Sequence, residues 1–181
     1  MSSSVYPAIR EAEPGDAQQI AALLTQLGYP STGDQVNQRL AYWLPDPMSL
    51  ILVAGQGGRI EGCLSLHAIP YLERTGRWAR IESLVVDESS RNRGTGRSLV
   101  VVAERAARQA GCLTVEVTSA RTRPSAHAFY KRLGYTDACD SSGRFLKTLG
   151  DADVSSSSLE LTPEAPDNPI LAVKAWQETP R

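Results

Sequence analysis

No stretch of this chain approaches the roughly 18 consecutive apolar residues that a membrane helix requires. Its opening, MSSSVYPAIREAEPGD, lacks the apolar centre of a secretory signal. A cytoplasmic protein with no membrane partner is the expectation. Cysteine is scarce as well: Cys63, Cys112 and Cys139 are odd in number and show no CxxC spacing. That argues against a disulfide framework and against a zinc site, so no metal is expected, and the three read as small buried apolar residues. Aromatic residues make up 6% of the chain and the net charge is -1. A general nucleic-acid binder would carry a more basic balance with aromatics interleaved, so no nucleic-acid partner is expected.

What is present suffices for one substantial core. A chain of 181 residues with 41% hydrophobic content suits a single compact domain. The charge is unevenly spread: residues 1–150 carry 17 basic and 14 acidic side chains, residues 151–181 only 2 basic against 6 acidic. From Arg91 to Arg132, nine basic residues face only Glu104 and Glu116, which creates a local positive field or, more plainly, a solvated arginine face.

The pattern along the chain alternates. VYPAIREA reads as a strand, and PGDAQQIAALLTQLG as a helix with Pro14 in its first turn and Gly28 past its end. A second helix is predicted from Asp34 to Leu44, ended by PDP at 45–47. SLILVAG and RIEGCLSLHAI form a hairpin about Gly57-Gly58. WARIESLVVD is a largely apolar strand. Leu99, Val102, Ala103, Ala106 and Ala110 make one stripe of a helix from Thr95 to Ala110, closed by Gly111. CLTVEVTS gives a further strand, PSAHAFYKRLG a short helix, and YTDAC and RFLKTL two last strands. The whole is a mixed α/β (α+β) domain.

Between the apolar strand and the long helix lies SSRNRGTGRSLV. A helix N-terminus offers unpaired N–H groups and partial positive charge, and glycine admits a phosphate close to the backbone. The turn is built to hold phosphate. No Gly-Lys-Ser/Thr follows, so it is not a nucleotide P-loop, and the third glycine of GxGxxG is missing.

One pattern fits residue by residue: [Q/R]xxGx[G/A], met by Arg91-Asn92-Arg93-Gly94-Thr95-Gly96 after a strand and at a helix start. With IESLVVD before it, TVEVTSA after it, and SAHAFYKRLGY matching an AxxFYxxxGF segment, the chain resembles the GNAT superfamily of acyl-CoA-dependent N-acetyltransferases. The resemblance runs over about residues 5–149, so 1–149 is the expected domain and 150–181 an acidic, Ser/Pro-rich extension. It implies a mostly antiparallel sheet of six to seven strands flanked by helices, with strands four and five splayed apart. It further implies acetyl-CoA as co-substrate and a primary amine as acceptor, attacked directly in a ternary complex with no covalent acyl-enzyme.

On the same resemblance, the amides from Arg93 to Ser98, with Gly94, Thr95 and Gly96 among them, would clasp the coenzyme's pyrophosphate. Arg91, Asn92, Arg93 and Arg97 would add contacts, and the backbone of Leu84, Val85 and Val86 would pair with the pantetheine arm. Tyr130 matches the tyrosine that protonates the departing thiolate; it also falls on a helical apolar stripe with Ala126, Phe129 and Leu133, and Phe129 would pack, with the arm as one candidate partner. Many relatives place an asparagine after strand five; here Thr118-Ser119-Ala120 stands, and Ser119 could supply a shorter hydrogen bond. An alkylamine is almost wholly protonated at pH 7, a deficit of roughly 4 to 5 kcal/mol, so something must accept its proton. Glu82, a carboxylate within an apolar strand, is the leading candidate; a salt bridge to Arg80 would be its structural alternative, and His67 and Glu116 are further candidates. His127 reads as exposed or capping.

The acceptor pocket would draw on residues 27–43, 70–78 and 140–144, with Tyr29, Tyr42, Tyr71 and Glu73 as candidate linings. The wording of TSARTRPSAHAFYKRLGY is similar to small-amine acetyltransferases of the family, including those acting on aminoalkyl phosphonates. A small-molecule amine is therefore the favoured acceptor. A protein N-terminus or lysine, or a coenzyme-binding regulator without turnover, are the alternatives. In the extension, ILAVKAW is apolar enough to add an edge strand, cover the cleft or join two copies as a homodimer.

Overall fold

The computed structural model describes residues 7–139 together with 142, 145 and 146. They fall into two compact units, one up to Thr118 and one from Ser119. In the first, a sheet of five strands carries three helices. β1 (Ala8–Glu11) leads through a short 3-10 turn at Pro14–Asp16 into α1 (Ala17–Leu27), followed by α2 (Gly33–Trp43). The hairpin β2 (Ser49–Gln56) and β3 (Arg59–Pro70) precedes β4 (Arg77–Val86), α3 (Thr95–Gln109) and β5 (Cys112–Val117). In the second unit, α4 spans Pro124–Arg132.

Local chemistry sets these boundaries. Arg10 donates two hydrogen bonds of 2.7 Å to Asp16, and Glu13 N–H adds one of 2.8 Å, tying the entry of α1 to β1. The Arg10 guanidinium holds the Asp16 carboxyl below its usual range, against the opposing effect of burial. α1 stops at Gly28, whose φ of 104° only glycine adopts without strain. Thr32 and Gln35 form a reciprocal capping box at the start of α2. Gly57 and Gly58, at φ 60° and 81°, make the two-residue turn that β2 and β3 need.

The strands lie in the order β1-β2-β3-β4-β5. The first four pair antiparallel and β5 runs parallel to β4. One face buries Ile51, Val53, Cys63 and Val85 beneath Ile20, Leu23, Val36 and Leu40 of α1 and α2. The other buries Leu52, Leu64, Leu66, Ala79 and Ile81, and α3 covers it with Leu99, Val100 and Ala103. Each strand's alternation thus serves two helical layers at once.

Two expectations are corrected. Six to seven strands were expected, and five are present among the described residues. Tyr135–Cys139 does not extend into a strand: Asp137 accepts the N–H of Cys139 at 3.2 Å and pairs with Arg121 at 2.6 Å, a local turn that competes with sheet pairing. Of the last expected strand only Phe145 and Leu146 are described, neither in a strand; the rest of it, like the extension with ILAVKAW, lies outside the described residues. The cysteines also differ. Cys63 is buried, which pushes its thiol to about 12, but Cys112 is half-buried and Cys139 is exposed, since its segment joins no sheet face.

Gly62 decides how closely α3 seats. A Cβ there would meet Leu99 Cδ1 at 3.0 Å, Thr95 Cγ2 at 3.2 Å and the Val85 carbonyl at 3.3 Å. Gly62→Val is therefore expected to destabilise the protein by about 1–3 kcal/mol, as overpacking does. Urea unfolding followed by circular dichroism checks this; a midpoint equal to that of the unsubstituted protein would refute the close seating.

Candidate functional site

The predicted phosphate turn is formed as a left-handed kink running into a helix. Asn92 has φ 63° and Gly94 φ 89°, and the Ser98 N–H returns to the Gly94 carbonyl at 2.9 Å to begin α3. The first N–H groups of the helix have no acceptor within it. Arg91 is engaged, donating from Nε to the Val86 carbonyl at 3.2 Å and pairing with Glu88 at 3.4 Å. Arg93 and Arg97 are exposed and, among the described residues, form no ion pair. Thr95 is buried with an Oγ1 that has no hydrogen-bond partner among the described residues. Free cations and unpaired donors at one helix start fit a phosphate-bearing coenzyme.

The loop is held from behind by residues that composition did not single out. Asp87 accepts from the Ser89 hydroxyl, from Ser89 N–H at 3.0 Å, from Gln26 Nε2 at 3.2 Å and from Arg59 at 3.2 Å. Gln26 in turn accepts the Glu88 N–H at 3.1 Å, so the end of α1 grips the loop. The Ser89 and Gln26 hydrogen bonds, more than the neighbouring Arg59 charge, hold the Asp87 carboxyl down at about 2.

β4 carries the second feature. Its ladder with β5 ends at Ile81↔Val117, so the β4 edge from Glu82 through Leu84, Val85 and Val86 is not paired by β5. On its other side, Ser65 faces Ser83 and Leu66 faces Ile81, which leaves Glu82 as the extra residue of a β-bulge. A bulge re-aims its side chain and bends the strand, and here it coincides with the splay. The unpaired edge leads directly into the phosphate turn.

Glu82 opens onto a cleft of about 360 Å³ lined also by Tyr42, Trp43, Asp46, Ser49 and His67. Two of these, Ser49 and His67, begin a row of cross-strand partners, Ser49↔His67↔Arg80↔Glu116, running over β2, β3, β4 and β5. Arg80 is the cation of the row. It contacts Glu82 at 2.7 Å and Glu116 at 3.1 Å, and donates to Thr118 Oγ1 at 2.8 Å. Ser49 Oγ lies 2.6 Å from Asp46 Oδ2 and 2.9 Å from His67 Nδ1, while the Trp43 ring meets His67 edge-on at 6.3 Å. Asp46 is itself fixed by the Met48 N–H at 3.0 Å.

In the second unit, Ser119 is half-buried ahead of α4, and Phe129 and Tyr130 stand on that helix. The Tyr130 ring packs edge-on against Phe129 and Tyr135, at 5.1 and 5.5 Å. Burial pushes its phenol up to about 12, so it keeps its proton throughout the neutral range. His127 binds the Ala120 carbonyl at 3.0 Å, closing the loop before the helix.

Of the residues proposed for an acceptor, Tyr42 lines the cleft. Tyr29 is 65% exposed and Tyr71 is occupied by Thr114 at 3.2 Å and by the Arg74 cation over its ring at 3.9 Å. Residues 140, 141, 143 and 144 lie outside the described residues. Sequence reasoning missed Asp46 and Ser49, because PDP was read only as a helix terminator. An Asp two residues before an N–H is a local turn signal, and that was the available cue.

The profile of the acetyltransferase (GNAT) family matches residues 17–135. The chain is similar to aminoalkylphosphonate N-acetyltransferase of Salmonella typhimurium, with 32% identity over 142 residues, 78% of this chain and 90% of that one. Among solved structures it resembles a protein of Agrobacterium tumefaciens designated an acetyltransferase, with 30% identity, 78% and 99% of the two chains and a TM-score of 0.70. A transcriptional regulator from Bacillus halodurans is similar at 27% identity, 78% and 98% of the chains and a TM-score of 0.69.

The loop anchor makes a pH prediction. Because the folded Asp87 carboxyl lies at about 2 against an ordinary 3.8, its stabilising contribution is complete above about pH 4 and is lost as pH falls through about 2. Asp87→Asn should melt below the unsubstituted protein from pH 5 to 7, with the gap closing between pH 4 and 2. A gap independent of pH in thermal scans would show that the carboxylate's charge plays no part.

Proposed function

We propose, for a chain that belongs to the acetyltransferase (GNAT) family and to its N-acetyltransferase class, the transfer of an acetyl group from acetyl-CoA to the primary amine of a small molecule. One observation carries this reading: a single strand, β4, runs its unpaired edge into the phosphate turn and, at its bulge, turns a carboxylate into an open cleft. The amine attacks the thioester directly, in a ternary complex. A cleft of about 360 Å³ walled by Tyr42 and Trp43 suits a small amine better than a peptide, and the aminoalkylphosphonate enzyme among the relatives supports the same class.

Within this reading each group has a task. The α3 amides and Gly94, Thr95, Gly96 and Ser98 hold the pyrophosphate, with Arg93 and Arg97 as charge-assisted donors and Arg91 and Asn92 shaping the turn. The backbone of Leu84, Val85 and Val86 pairs with the pantetheine arm, and Ser119 and Phe129 contact it. Tyr130, with its proton retained up to about 12, donates that proton to the departing sulfur. Its part rests on its place in the Phe-Tyr segment and on that retained proton. The cleft's carboxylates draw in the ammonium form of the acceptor, whose proton passes to Glu82 or to His67, the two candidate bases that line it.

A second reading, a coenzyme-binding regulator without turnover, is favoured by the regulator among the structural relatives and shares the phosphate turn. Calorimetric titration with acetyl-CoA should show binding by the unsubstituted protein and none by Gly94→Glu, which places a side chain and a negative charge in the turn. With a panel of small amines and peptides, thiol release is expected from small primary amines. Tyr130→Phe should lower kcat by about 100-fold to 10,000-fold while leaving coenzyme affinity within about threefold. Absence of coenzyme binding would sink the proposal; tight binding with no thiol release from any amine would favour the regulator.

A further inference from the structure

We infer that His67 is the base that takes the proton from the acceptor's ammonium group, and that Asp46 and Ser49 hold its ring in the tautomer able to do so. The inference rests on the proposed amine transfer and names the group that drives it. It follows from counting hydrogens in the chain Asp46, Ser49, His67. A carboxylate only accepts, and Ser49 has one hydroxyl proton. The 2.6 Å contact to Asp46 Oδ2 therefore takes that proton, as a short charge-assisted bond. Ser49 Oγ then has only lone pairs to offer His67 Nδ1 at 2.9 Å, so the ring nitrogen must be the donor. The proton of the neutral imidazole is fixed on Nδ1, with Asp46 Oδ2 at 3.4 Å behind it. Nε2 is left with a free lone pair and, among the described residues, makes no hydrogen bond.

The two carboxylates that could compete are differently placed. Glu82 and Glu116 both lie on the Arg80 guanidinium, at 2.7 and 3.1 Å, where accepting a proton means giving up an ion pair. Among the candidate bases of this cleft, only His67 is without a cationic partner among the described residues. The charged and titratable groups about it are Asp46 from the loop after α2, Tyr42 from α2, and Arg80 and Glu82 from β4. The Asp46 carboxylate behind Nδ1 and the cross-strand Arg80 guanidinium are the charges the ring meets when it takes a proton.

The protons balance. One N–H bond of the ammonium breaks and one Nε2–H bond forms; the freed lone pair attacks the thioester carbon and the C–S bond breaks toward sulfur. Tyr130 supplies the proton that sulfur takes, and the second proton lost by the nitrogen as it becomes an amide restores the phenol. His67 returns its proton to solvent, so each turnover releases one.

The chain has two histidines, His67 and His127, which makes the ring signals assignable with His67→Gln. Nitrogen and carbon NMR of the labelled protein at pH 8 should show His67 neutral with Nε2 unprotonated; a ring protonated at Nε2 overturns the inference whatever the activity. In kinetics with 2-aminoethylphosphonate and with a plain alkylamine, His67→Gln should lower kcat/KM about 100-fold at pH 7. Its pH profile should then rise in proportion to the free amine, and differ in shape from that of the unsubstituted enzyme. Ser49→Ala, which frees the tautomer, should cost about tenfold and change the shape of that profile. If His67→Gln keeps both the rate and the shape of the profile while Glu82→Gln loses them, Glu82 is the base and the inference falls alone. If the unsubstituted enzyme acetylates no amine, the proposed function falls and takes the inference with it.

Discussion

One extra residue in β4 organises this protein. Were Glu82 absent, Ser83 and Ile81 would continue the regular ladder with β3, and the strand could run straight beside β5. The insertion bends β4 where its parallel pairing ends, at Ile81↔Val117. Arg80, the neighbouring residue, then spans the parting strands by holding Glu82, Glu116 and Thr118 together. A cation shared by two partly exposed carboxylates adds little stability by itself. Its value lies in position, because it fixes the geometry at the mouth of the splay while the apolar layers on either side supply the stability.

Division of labour between the two sheet faces follows from the same alternation. The face beneath α1 and α2 is apolar at Ile51, Val53, Cys63 and Val85, then turns polar at Ser49, Ser65, His67, Arg80 and Ser83 farther along the same strands. Ser65 and Ser83, with hydroxyls 2.7 Å apart, mark the boundary. The opposite face stays apolar beneath α3 along Leu64, Leu66 and Ala68. A rigid, fully covered face therefore backs a half-covered one, which is how a sheet can hold a polar cleft without loosening its core.

Much of this was legible in the sequence because its signals were local. Gly28 and Gly57-Gly58 punctuate the chain at positive φ, and the stripe through Leu99, Ala103 and Ala106 defines α3 to within a residue or two. The kink from Arg91 to Gly96 into α3 was legible for the same reason, since its glycines sit within six consecutive residues. What escaped notice is spread across the chain. Asp46, Ser49 and His67 meet only because β2 and β3 pair in one register, and Gln26 reaches Asp87 across 61 positions. The bulge at Glu82 is equally silent, because an inserted residue looks like any other until its partner strand is known. YTDAC misled through its apparent strand character, when Asp137 was the residue that counted.

The grip of α1 on the loop before α3 bears on behaviour in salt. Gln26 reaches the loop through a neutral amide, accepting from one backbone N–H and donating to one carboxylate. Ionic strength weakens attraction between exposed charges but leaves such a contact nearly untouched. Arg93 and Arg97, by contrast, are exposed and would act on any anion through solvent. Rising salt should therefore screen whatever pull these two arginines exert while leaving the turn's own shape intact, so that its field weakens without the loop coming apart.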